Sequence, residues 1–319
     1  MITKAFLVLV HQYPDQLCRL IEKLDGPDTV FYIHVDLKSN MDDFKTIVKE
    51  NVVFIEHRVD CIWADFSQIR ATLHLITEVF HANYSPALRV TLMSGQDYPI
   101  KSTGFISDFL ARYPHVNFLN MENISDSGIR HLKNIRAFKI NHSSRRADFT
   151  LVSRYHWKSA IKGIVLGKIH FSAVKLLFKK KEIPLNMTPY RGSQWFSFHI
   201  DTLKKIINFY HKNKKTMDSF FSDVLCPDEF FFHTIVMHLK AEDPDIHIMP
   251  SLTYDNWTRK GADLPITFQL SDLEELLSQP DNKLFARKFN TKIDAAICDE
   301  LDRQFIQWTE TEQHKINGG

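Results

Sequence analysis

The fold is constrained most strongly by short apolar runs that alternate with amphipathic helical segments over the first hundred residues. In residues 4–10, KAFLVLV, six consecutive apolar side chains follow Lys4, which is typical of a strand covered on both faces. On this basis strands are predicted at 4–10, 30–36, 51–56 and 87–93, and helices at 14–24, 41–49 and 66–80. Their alternation predicts an α/β fold with a doubly wound, mostly parallel sheet flanked by helices.

The second half of the sequence is less regular. A helix is predicted at 103–112, strands at 116–121 and 192–200, and a helix at 201–210 that begins at an Asp201 cap. The stretch from about 122 to 190 is rich in Arg, Lys, His and Ser and shows no clear β period. No repeat or long linker interrupts the chain, so we predict one compact, two-lobed domain.

Composition excludes several protein classes. The chain has 319 residues, 44% of them hydrophobic, which is typical of a globular protein with a sizeable core. Its formal net charge of +2 gives no support for a general nucleic-acid binder. Four widely spaced cysteines favour free thiols in a reducing compartment. The apolar run at 5–10 is too short for a signal sequence or a membrane span, so we expect a cytoplasmic protein.

Functional residues are expected beyond the strand ends, where ligands of such sheets bind. Asp36 and Lys38 follow the second strand and could contact a ribose or base edge and a phosphate, although Asp36 could equally be a helix cap. Trp63 follows the third strand and could stack on a base or sugar, but a structural Trp is commoner. Asp97 follows the fourth strand in SGQDYP, which is either a sugar-framing turn or a plain tight turn.

Sequence signatures for metals and phosphates are weak. Neither a GxGxxG nor a GxxxxGK[ST] motif occurs, which disfavours dinucleotide and P-loop chemistry. The string Asp243-Pro244-Asp245 could suggest a metal–diphosphate site, but a solvated turn between a helix and a strand is the favoured interpretation. The sixteen histidines show no HExxH or HxH spacing, so no metal site is predicted.

An acid pair precedes a phenylalanine-rich segment in CPDEFFFHT, residues 226–234. Pro227, Asp228 and Glu229 suit the first turn of a helix, where proline is tolerated and acids favour the positive end of the dipole. One of the two acids could instead be a catalytic base. Position alone does not decide between these interpretations.

Residues 168–181, KIHFSAVKLLFKKK, combine apolar side chains with five lysines. This pattern is compatible with a basic amphipathic helix on an anionic membrane. A lysine-bearing surface helix packed on the domain is the favoured alternative.

Seven strings together resemble the core-2/I-branching β-1,6-N-acetylglucosaminyltransferase family, which includes the peptide O-xylosyltransferases. They occur in the family's order from about residue 4 to 290: LVLVHQYPDQLCRLI, FYIHVDLKS, VDCIWADFSQIRATL, LMSGQDYPIKS, GSQWFSF, CPDEFFFHTI and KLFARKF. The resemblance implies a single GT-A glycosyltransferase domain over 1–319. Residues 1–121 would bind the nucleotide sugar, and 122–319 would bind the acceptor and carry out catalysis.

The resemblance also implies an inverting, metal-independent transfer of an N-acetylglucosamine- or xylose-class sugar from a UDP-sugar to a glycan hydroxyl, without a cofactor. Glu229 matches the general base and Asp228 would cap or support it, in a dry environment formed by the phenylalanines. Asp36 matches the aspartate that contacts the nucleoside, and Lys288 matches the diphosphate-binding lysine. From their places after the strands, Lys38 and Trp63 are expected on the same donor side. The strand that lines the family's active site maps onto Ser193, Gln194 and Trp195, and Asp97 is expected to line the same site.

The chain departs from the family pattern at the second diphosphate-binding cation. No arginine stands at the matching place in YDNWTRKGADLPITF, so Arg259 or Lys260 is the candidate, with Arg287 beside Lys288 as another source of positive charge. Secretory members carry a membrane anchor and many disulfides, and from this sequence we expect neither. We therefore expect a bacterial-type, cytoplasmic enzyme of surface-polysaccharide synthesis, acting on a glycan or lipid-linked saccharide. Any peripheral contact with the inner membrane would run through 168–181.

Three alternatives remain open from the sequence. The chain could be a metal-dependent transferase that uses Asp97, or Asp243 with Asp245. It could be a catalytically inactive protein that binds nucleotide or glycan on the same fold. A membrane adaptor acting through 168–181 is the third.

Overall fold

A computed structural model describes residues 1–124 and 129–305 of the chain. Residues 125–128 and 306–319 of the predicted 1–319 domain lie outside this description. The strands are β1 Ile2–Val10, β2 Thr29–Val35, β3 Val52–Phe54, β4 Tyr84–Ser94, β5 Asp97–Pro99, β6 Asn117–Phe118, β7 Glu122–Asn123, β8 Phe138–Asn141, β9 Phe149–Val152, β10 Tyr190–Arg191, β11 Ser197–His199, β12 Ile248–Met249, β13 Thr253–Asp255 and β14 Phe285–Arg287. The helices are α1 Pro14–Leu24, α2 Phe66–His81, α3 Thr103–Arg112, α4 Ile129–Ile135, α5 Trp157–Val165, α6 Lys175–Phe178, α7 Ile200–Lys212, α8 Lys214–Phe221, α9 Phe231–Glu242 and α10 Leu273–Leu277.

A seven-stranded sheet forms the centre of the protein, in the order β12-β6-β11-β4-β1-β2-β3. The pairs formed among β1, β2, β3 and β4 are parallel, whereas β11 runs antiparallel to both of its neighbours. Two large apolar clusters lie against the sheet and contain most of the buried phenylalanines. The predicted α/β fold, a mostly parallel sheet flanked by helices, is confirmed.

The helices of the first half follow from their sequence. Helix α1 has proline at its first turn and buries Leu17, Leu20, Ile21 and Leu24, the face that the apolar spacing predicts. Each such aliphatic side chain contributes about 1.5–3 kcal/mol when it is removed from water. The helix predicted at 41–49 is wrong, because only a 3₁₀ turn forms at Met41–Phe44. Asn40 caps that turn, and Phe44 is buried in the core.

Two strand predictions in the second half are too long. The strand predicted at 116–121 is only Asn117–Phe118, and the one predicted at 192–200 is only Ser197–His199. The helix predicted at 201–210 extends over Ile200–Lys212, and its cap is His199, whose ring nitrogen accepts a hydrogen bond from the Asp201 amide. The predicted Asp201 cap is therefore wrong. Asp201 lies inside the first turn instead.

A small sheet beside the main one has the order β13-β14-β5. Strand β14 pairs in parallel with β13 and antiparallel with β5. In this register Arg287 lies between Asp97 on one side and Asp255 on the other. The small sheet therefore brings an arginine from the end of the chain to the loop that follows β4.

A separate lobe projects from the second half. Strands β8 and β9 form an antiparallel hairpin, and α5 packs on β9. The lobe has its own small core of buried side chains: Phe138, Val152, Ala160, Ile169 and Ala173. The helix predicted over 168–181 is broken, because a 3₁₀ turn at Phe171–Val174 runs into the four-residue α6. No helix in the described part of the chain is both long enough and apolar enough to cross a membrane.

Candidate active site

The carboxyl ends of β1, β2 and β4 lie side by side at one edge of the main sheet. The Asp36 amide, just after β2, donates to the Val10 carbonyl at 2.8 Å, and the Gly95 amide, just after β4, donates to the Leu9 carbonyl at 3.0 Å. Both loops thus meet at the end of β1. Parallel sheets bind ligands at this edge, so the side chains that follow these strands form the candidate site.

Asp36 and Lys38 form one corner of the site. Asp36 is buried, and its Oδ1 accepts a hydrogen bond from the Lys38 amide at 2.9 Å in a tight turn. The Lys38 ammonium lies 3.2 Å from Asp36 Oδ1 and also pairs with Asp60. Arg58 fixes this loop by donating to the Asp36 carbonyl at 2.7 Å. The Asp36 carboxylate caps no helix, because the residues after it form a turn.

The loop after β3 carries Trp63, which is 42% exposed. The next residue, Ala64, adopts a left-handed conformation with φ 58°. Its carbonyl accepts hydrogen bonds from the Lys139 ammonium at 2.7 Å and from the Cys226 amide at 3.2 Å. This one carbonyl therefore joins the Trp63 loop to the β8–β9 hairpin and to the turn that carries the two candidate acids. A partly exposed indole of this kind is suited to stacking on a ligand.

Arg287 lies buried at the centre of the site. Its Nε is 3.5 Å from Asp97 Oδ1, which is an ion-pair distance but a poor hydrogen bond, and both atoms are buried without a hydrogen-bond partner among the described residues. The guanidinium lies 4.0 Å from the ring centroid of Trp195, a cation–π arrangement. Burial raises the pKa of Asp97 to about 6, and the charge of Arg287 opposes that rise. Asp97 and Trp195 thus hold Arg287, and Asp97 is not an exposed lining residue.

Lys288 follows Arg287 and extends the positive charge toward Asp36. Burial and the nearby charges of Arg287 and Arg146 lower the pKa of Lys288. His11 interacts electrostatically with both Asp36 and Lys288. Burial lowers the pKa of His11, the charge of Asp36 opposes this decrease, and the charges of Lys288 and Lys38 add to it. Lys288 and Asp36 therefore both lie within electrostatic range of His11, which follows β1.

Glu229 is held by an arginine that the sequence did not single out. Its Oε2 accepts a hydrogen bond from Arg191 Nη2 at 2.8 Å, and the two side chains are 33% and 24% exposed. Arg191 also donates through Nη1 to a ring nitrogen of His131 at 2.8 Å. Glu229 thus faces solvent as a paired carboxylate and is not surrounded by the dry wall of phenylalanines that we expected.

Asp228 occupies the drier position of the pair. Its Oδ1 is buried and without a hydrogen-bond partner among the described residues. Burial raises the pKa of Asp228 to about 7, Glu229 adds to the rise, and the positive charges of Lys139 and Arg287 oppose it. Both acids lie in a 3₁₀ turn, Pro227–Glu229, ahead of α9, and no side-chain hydrogen bond caps either element. Of the two roles predicted for Asp228, the helix cap is therefore wrong, and support of Glu229 stays a prediction.

The GSQW segment packs closely against this turn. The Gly192 amide donates to the Glu229 carbonyl at 3.0 Å, and a Cβ at Gly192 would lie 1.9 Å from the Asn120 carbonyl oxygen. His233, on α9, donates through Nε2 to the Ser193 carbonyl at 3.1 Å. Burial lowers the pKa of His233 to about 3, so its ring is neutral. Ser193 and the half-buried Gln194 are thereby fixed beside Glu229, in a loop instead of the predicted strand.

The fold brings nearly all of the predicted site residues together. Asp228 lies within electrostatic range of Arg287, so the turn that carries the two acids is close to Arg287. The Ala64 carbonyl links the same turn to the Trp63 loop, through its hydrogen bond with the Cys226 amide. Arg259 is the exception. Its guanidinium donates to Glu275 at 2.7 Å and pairs with Asp272 at 2.9 Å, so its charge is already matched beside α10.

Two residues that sequence reasoning missed extend the site. Arg191 pairs with Glu229, and Arg146, at the tip of the β8–β9 hairpin, lies 5.0 Å from the ring centroid of Trp63. Arg191 directly precedes the GSQW string, which was its only signal in the sequence. Arg146 lies in the basic stretch that showed no β period, and the sequence gave no signal for its role.

The acids considered for a metal site have other partners. Asp97 is paired with Arg287, and Asp243 pairs with Lys205 at 2.5 Å. The Asp245 amide donates to Asp243 Oδ1 at 3.2 Å, which closes the turn predicted for the DPD string. Over 1–124 and 129–305, no cluster of three histidine, cysteine or acidic side chains has a geometry that could hold a metal ion.

Comparison with known proteins places this chain in a family. The sequence profile of the Core-2/I-Branching enzyme family matches residues 4–279. The chain is 24% identical over 317 residues to Xylosyltransferase 1 of Rattus norvegicus, covering 93% of this chain and 35% of that protein. It is 24% identical over 318 residues to the Xylosyltransferase of Ciona intestinalis, covering 93% of this chain and 33% of that protein.

The chain spans about a third of the length of these curated relatives. The profile match nevertheless includes the first four strands of the main sheet, the Trp63 loop and the turn with Asp228 and Glu229. The resemblance that the sequence strings indicated is confirmed. The chain belongs to the Core-2/I-Branching enzyme family.

Proposed function

We propose that the chain is an inverting glycosyltransferase that moves a sugar from a UDP-sugar to a hydroxyl group of a glycan. The observation that carries the proposal is the placement of an ionic carboxylate, Glu229, and a buried cation, Arg287, around one sheet edge. Sugar transfer requires a base for the acceptor hydroxyl and positive charge for the leaving diphosphate. The names of the xylosyltransferase relatives support a xylose donor. N-acetylglucosamine is the alternative donor sugar that the sequence resemblance implies.

Glu229 is the proposed general base. The acceptor oxygen attacks the anomeric carbon of the donor while its proton passes to a Glu229 oxygen, and the bond from that carbon to the diphosphate oxygen breaks. A positioned base of this kind contributes about 10²–10⁴-fold to the rate. Arg191 orients the carboxylate through the 2.8 Å hydrogen bond, and partial exposure leaves the carboxylate open to an acceptor.

Arg287 and Lys288 are the proposed partners of the diphosphate. Fixed cations in a buried site stabilise the charge that develops on a leaving group more strongly than water does. The unpartnered Nε of Arg287 supports this role, because a buried donor without an acceptor indicates a missing partner. Arg146 adds a third cation near Lys288 and takes the place proposed from sequence for Arg259. With three cations available, we propose that the transfer needs no metal ion.

The remaining residues position the substrates. Asp36 is the proposed partner of the nucleoside, held in place by Lys38 and Arg58. Trp63 stacks on the nucleoside or the sugar. The GSQW segment lines the acceptor side next to Glu229. A glycan of surface-polysaccharide synthesis, free or lipid-linked, is the proposed acceptor class.

A donor screen tests this proposal. Thermal shift with UDP, UDP-xylose, UDP-N-acetylglucosamine and GDP-mannose, each with and without EDTA, should show stabilisation by uridine nucleotides only, unchanged by the chelator. Transfer to an acceptor panel, followed by NMR of the new anomeric centre, should show inversion. Stabilisation by no uridine nucleotide would overturn the proposed donor, and retention of configuration would overturn the single-displacement mechanism.

A further inference from the structure

The lobe that carries α5 contains a long basic stretch without acids. From residue 149 to residue 181 the sequence has eight Lys or Arg residues and no Asp or Glu, in a chain whose formal net charge is only +2. Seven of the eight side chains are exposed: Arg154, Lys158, Lys162, Lys168, Lys175, Lys179 and Lys180. Lys181 is the exception, because it is buried in an ion pair with Asp223. Lys168 also pairs with Asp148 at 3.7 Å and Lys180 with Glu182 at 2.6 Å, so the excess positive charge that this lobe presents to solvent lies mainly on the other five exposed cations.

Helix α5 exposes an apolar stripe in the middle of this charge. Trp157, Ile161 and Val165 follow one another at intervals of four residues, so they share one face of the helix. Their exposed fractions are 49%, 47% and 77%. The opposite face carries the buried Ala160 and Gly163, which contribute to the packing of the lobe. The helix thus buries its small residues and turns its large apolar residues outward, the reverse of ordinary surface helices.

More exposed apolar side chains surround the stripe. Of the seventeen large hydrophobic residues that are exposed in the described part of the chain, seven fall between residues 155 and 178. Besides the three in the stripe these are Tyr155, Leu166, Phe171 and Phe178. Scattered exposed apolar residues need no explanation, but a contiguous group rimmed by cations indicates an interaction surface.

A cleft of about 220 Å³ opens beside the stripe. Its lining includes Lys162, Lys168 and Ser159, which can donate hydrogen bonds to an anion, although Lys168 also lies 3.7 Å from Asp148. His142 and Thr150 also line the cleft and are hydrogen-bonded to each other at 2.9 Å. Leu166, which also lines the cleft, is 57% exposed. The apolar face and a basic cleft therefore lie next to each other.

We propose that this surface, defined by Trp157, Ile161 and Val165 with Lys158, Lys162 and Lys175, docks on an anionic phospholipid bilayer. The stripe inserts among the acyl chains, the lysines contact anionic headgroups, and the cleft accommodates a headgroup phosphate. Helices that bind in the membrane interface combine an apolar face containing Trp or Phe with a lysine-rich polar face. Charge complementarity, combined with an exposed apolar stripe that contains Trp157 and is flanked by lysines, favours an anionic lipid surface over a protein partner. The sequence-based expectation of a membrane helix at 168–181 is thereby replaced, because that segment is broken and the apolar stripe lies on α5.

The lobe is tied directly to the candidate active site. In strand β8, Lys139 donates to the Ala64 carbonyl at 2.7 Å. Asn141, in the same strand, donates to Asp65 Oδ2 at 2.8 Å. Docking of the lobe therefore sets the position of the Trp63 loop relative to the bilayer. This consequence bears on a lipid-linked acceptor only if the proposed transfer is correct, whereas the docking itself does not depend on it.

Vesicle binding tests the docking without any sugar donor. The full chain should sediment with vesicles of phosphatidylglycerol and phosphatidylcholine, and only weakly with vesicles of phosphatidylcholine alone. Each lysine near an anionic surface contributes about fivefold, so Lys158→Gln/Lys162→Gln/Lys175→Gln should weaken binding about a hundredfold. Trp157→Ser/Ile161→Ser/Val165→Ser should also abolish binding at physiological salt.

Matched controls separate this surface from general effects of charge and hydrophobicity. Lys212→Gln/Lys215→Gln and Val48→Ser/Ile293→Ser change exposed lysines and exposed apolar side chains elsewhere and should bind like the parent chain. Melting temperatures verify that every variant is folded.

Equal binding of the serine variant of the stripe and the parent would overturn the insertion. Failure of the parent chain to bind anionic vesicles would overturn docking to lipid and leave an acidic protein as the partner of the surface. Self-association removed by the stripe variant would assign the surface to a second copy of the chain.

Discussion

Replacement of Glu229 by glutamine isolates the proposed base. The substitution keeps the size of the side chain and an oxygen acceptor for Arg191, but it removes the carboxylate that takes the acceptor's proton. Loss of a general base should lower kcat by about 10²–10⁴-fold, which corresponds to about 3–5 kcal/mol in the activation free energy. The KM for the donor should change little, because the diphosphate is assigned to Arg287 and Lys288.

The effect on folding should be much smaller than the effect on catalysis. The Glu229–Arg191 pair is 33% and 24% exposed, and such partly solvated pairs contribute about 1 kcal/mol or less to stability. Glutamine retains part of that interaction. The melting temperature of Glu229→Gln should therefore stay within a few degrees of the parent value.

The assay is UDP release in the presence of acceptor, with UDP binding by calorimetry as the control for an intact donor site. Asp228→Asn serves as the comparison, because Asp228 is the other acid of the turn. We expect Glu229→Gln to bind UDP normally and to lose turnover. The reasoning is refuted if Glu229→Gln keeps parental turnover while Asp228→Asn loses it, since the buried acid would then be the base.

Three further outcomes follow from the geometry. Lys288→Ala should weaken UDP binding about 10- to 100-fold in calorimetry, because a charge-assisted hydrogen bond contributes about 1.5–3 kcal/mol; unchanged affinity would remove Lys288 from the site. Gly192→Ala should abolish stable folding, because its Cβ would lie 1.9 Å from the Asn120 oxygen, whereas Gly104→Ala has nothing within 4 Å and should melt at or above the parental temperature. Between about pH 4 and pH 7 folded Asp228, with a pKa of about 7, retains a proton that the unfolded chain has released, so stability should fall as pH rises through this window. Asp228→Asn should flatten that decline in thermal melts from pH 4 to pH 8, and an unchanged slope would show that Asp228 is not its source.

Much of the fold was predictable because its elements are defined by local apolar periodicity. Helix α3 forms at the predicted 103–112, and α1 at the predicted 14–24, because each has a terminal signal and one continuous apolar face. Strand lengths in the second half were not predictable. The segment 192–200 has the composition of a strand, but tight packing of Gly192 against Asn120 holds its first half as a loop. Propensity cannot anticipate such a tertiary constraint.

The candidate site likewise contains residues that could be recognised from the sequence and residues that could not. The strings around Asp36, Trp63 and Glu229 could be recognised because each surrounds a loop at a strand end or a helix start. The Arg191–Glu229 pair could not, because the two residues are far apart in sequence and meet only through the packing of GSQW on α9. Arg259 was chosen for its position in the sequence, but in three dimensions Glu275 and Asp272 already match its charge.

The sequence by itself determined the alternation of strands and helices, the family, and the presence of two adjacent acids before a phenylalanine-rich helix. Local signals treat Asp228 and Glu229 as near equivalents, since neighbours along a chain share them, and only the family resemblance singled out Glu229 as the base. Their different environments appear only in the tertiary structure, where Glu229 is paired to Arg191 and open to solvent, whereas Asp228 is buried within electrostatic range of Arg287 and its pKa is raised. The physical reason is that desolvation and Coulomb interactions depend on distance in space, and the groups that set them come from distant parts of the chain.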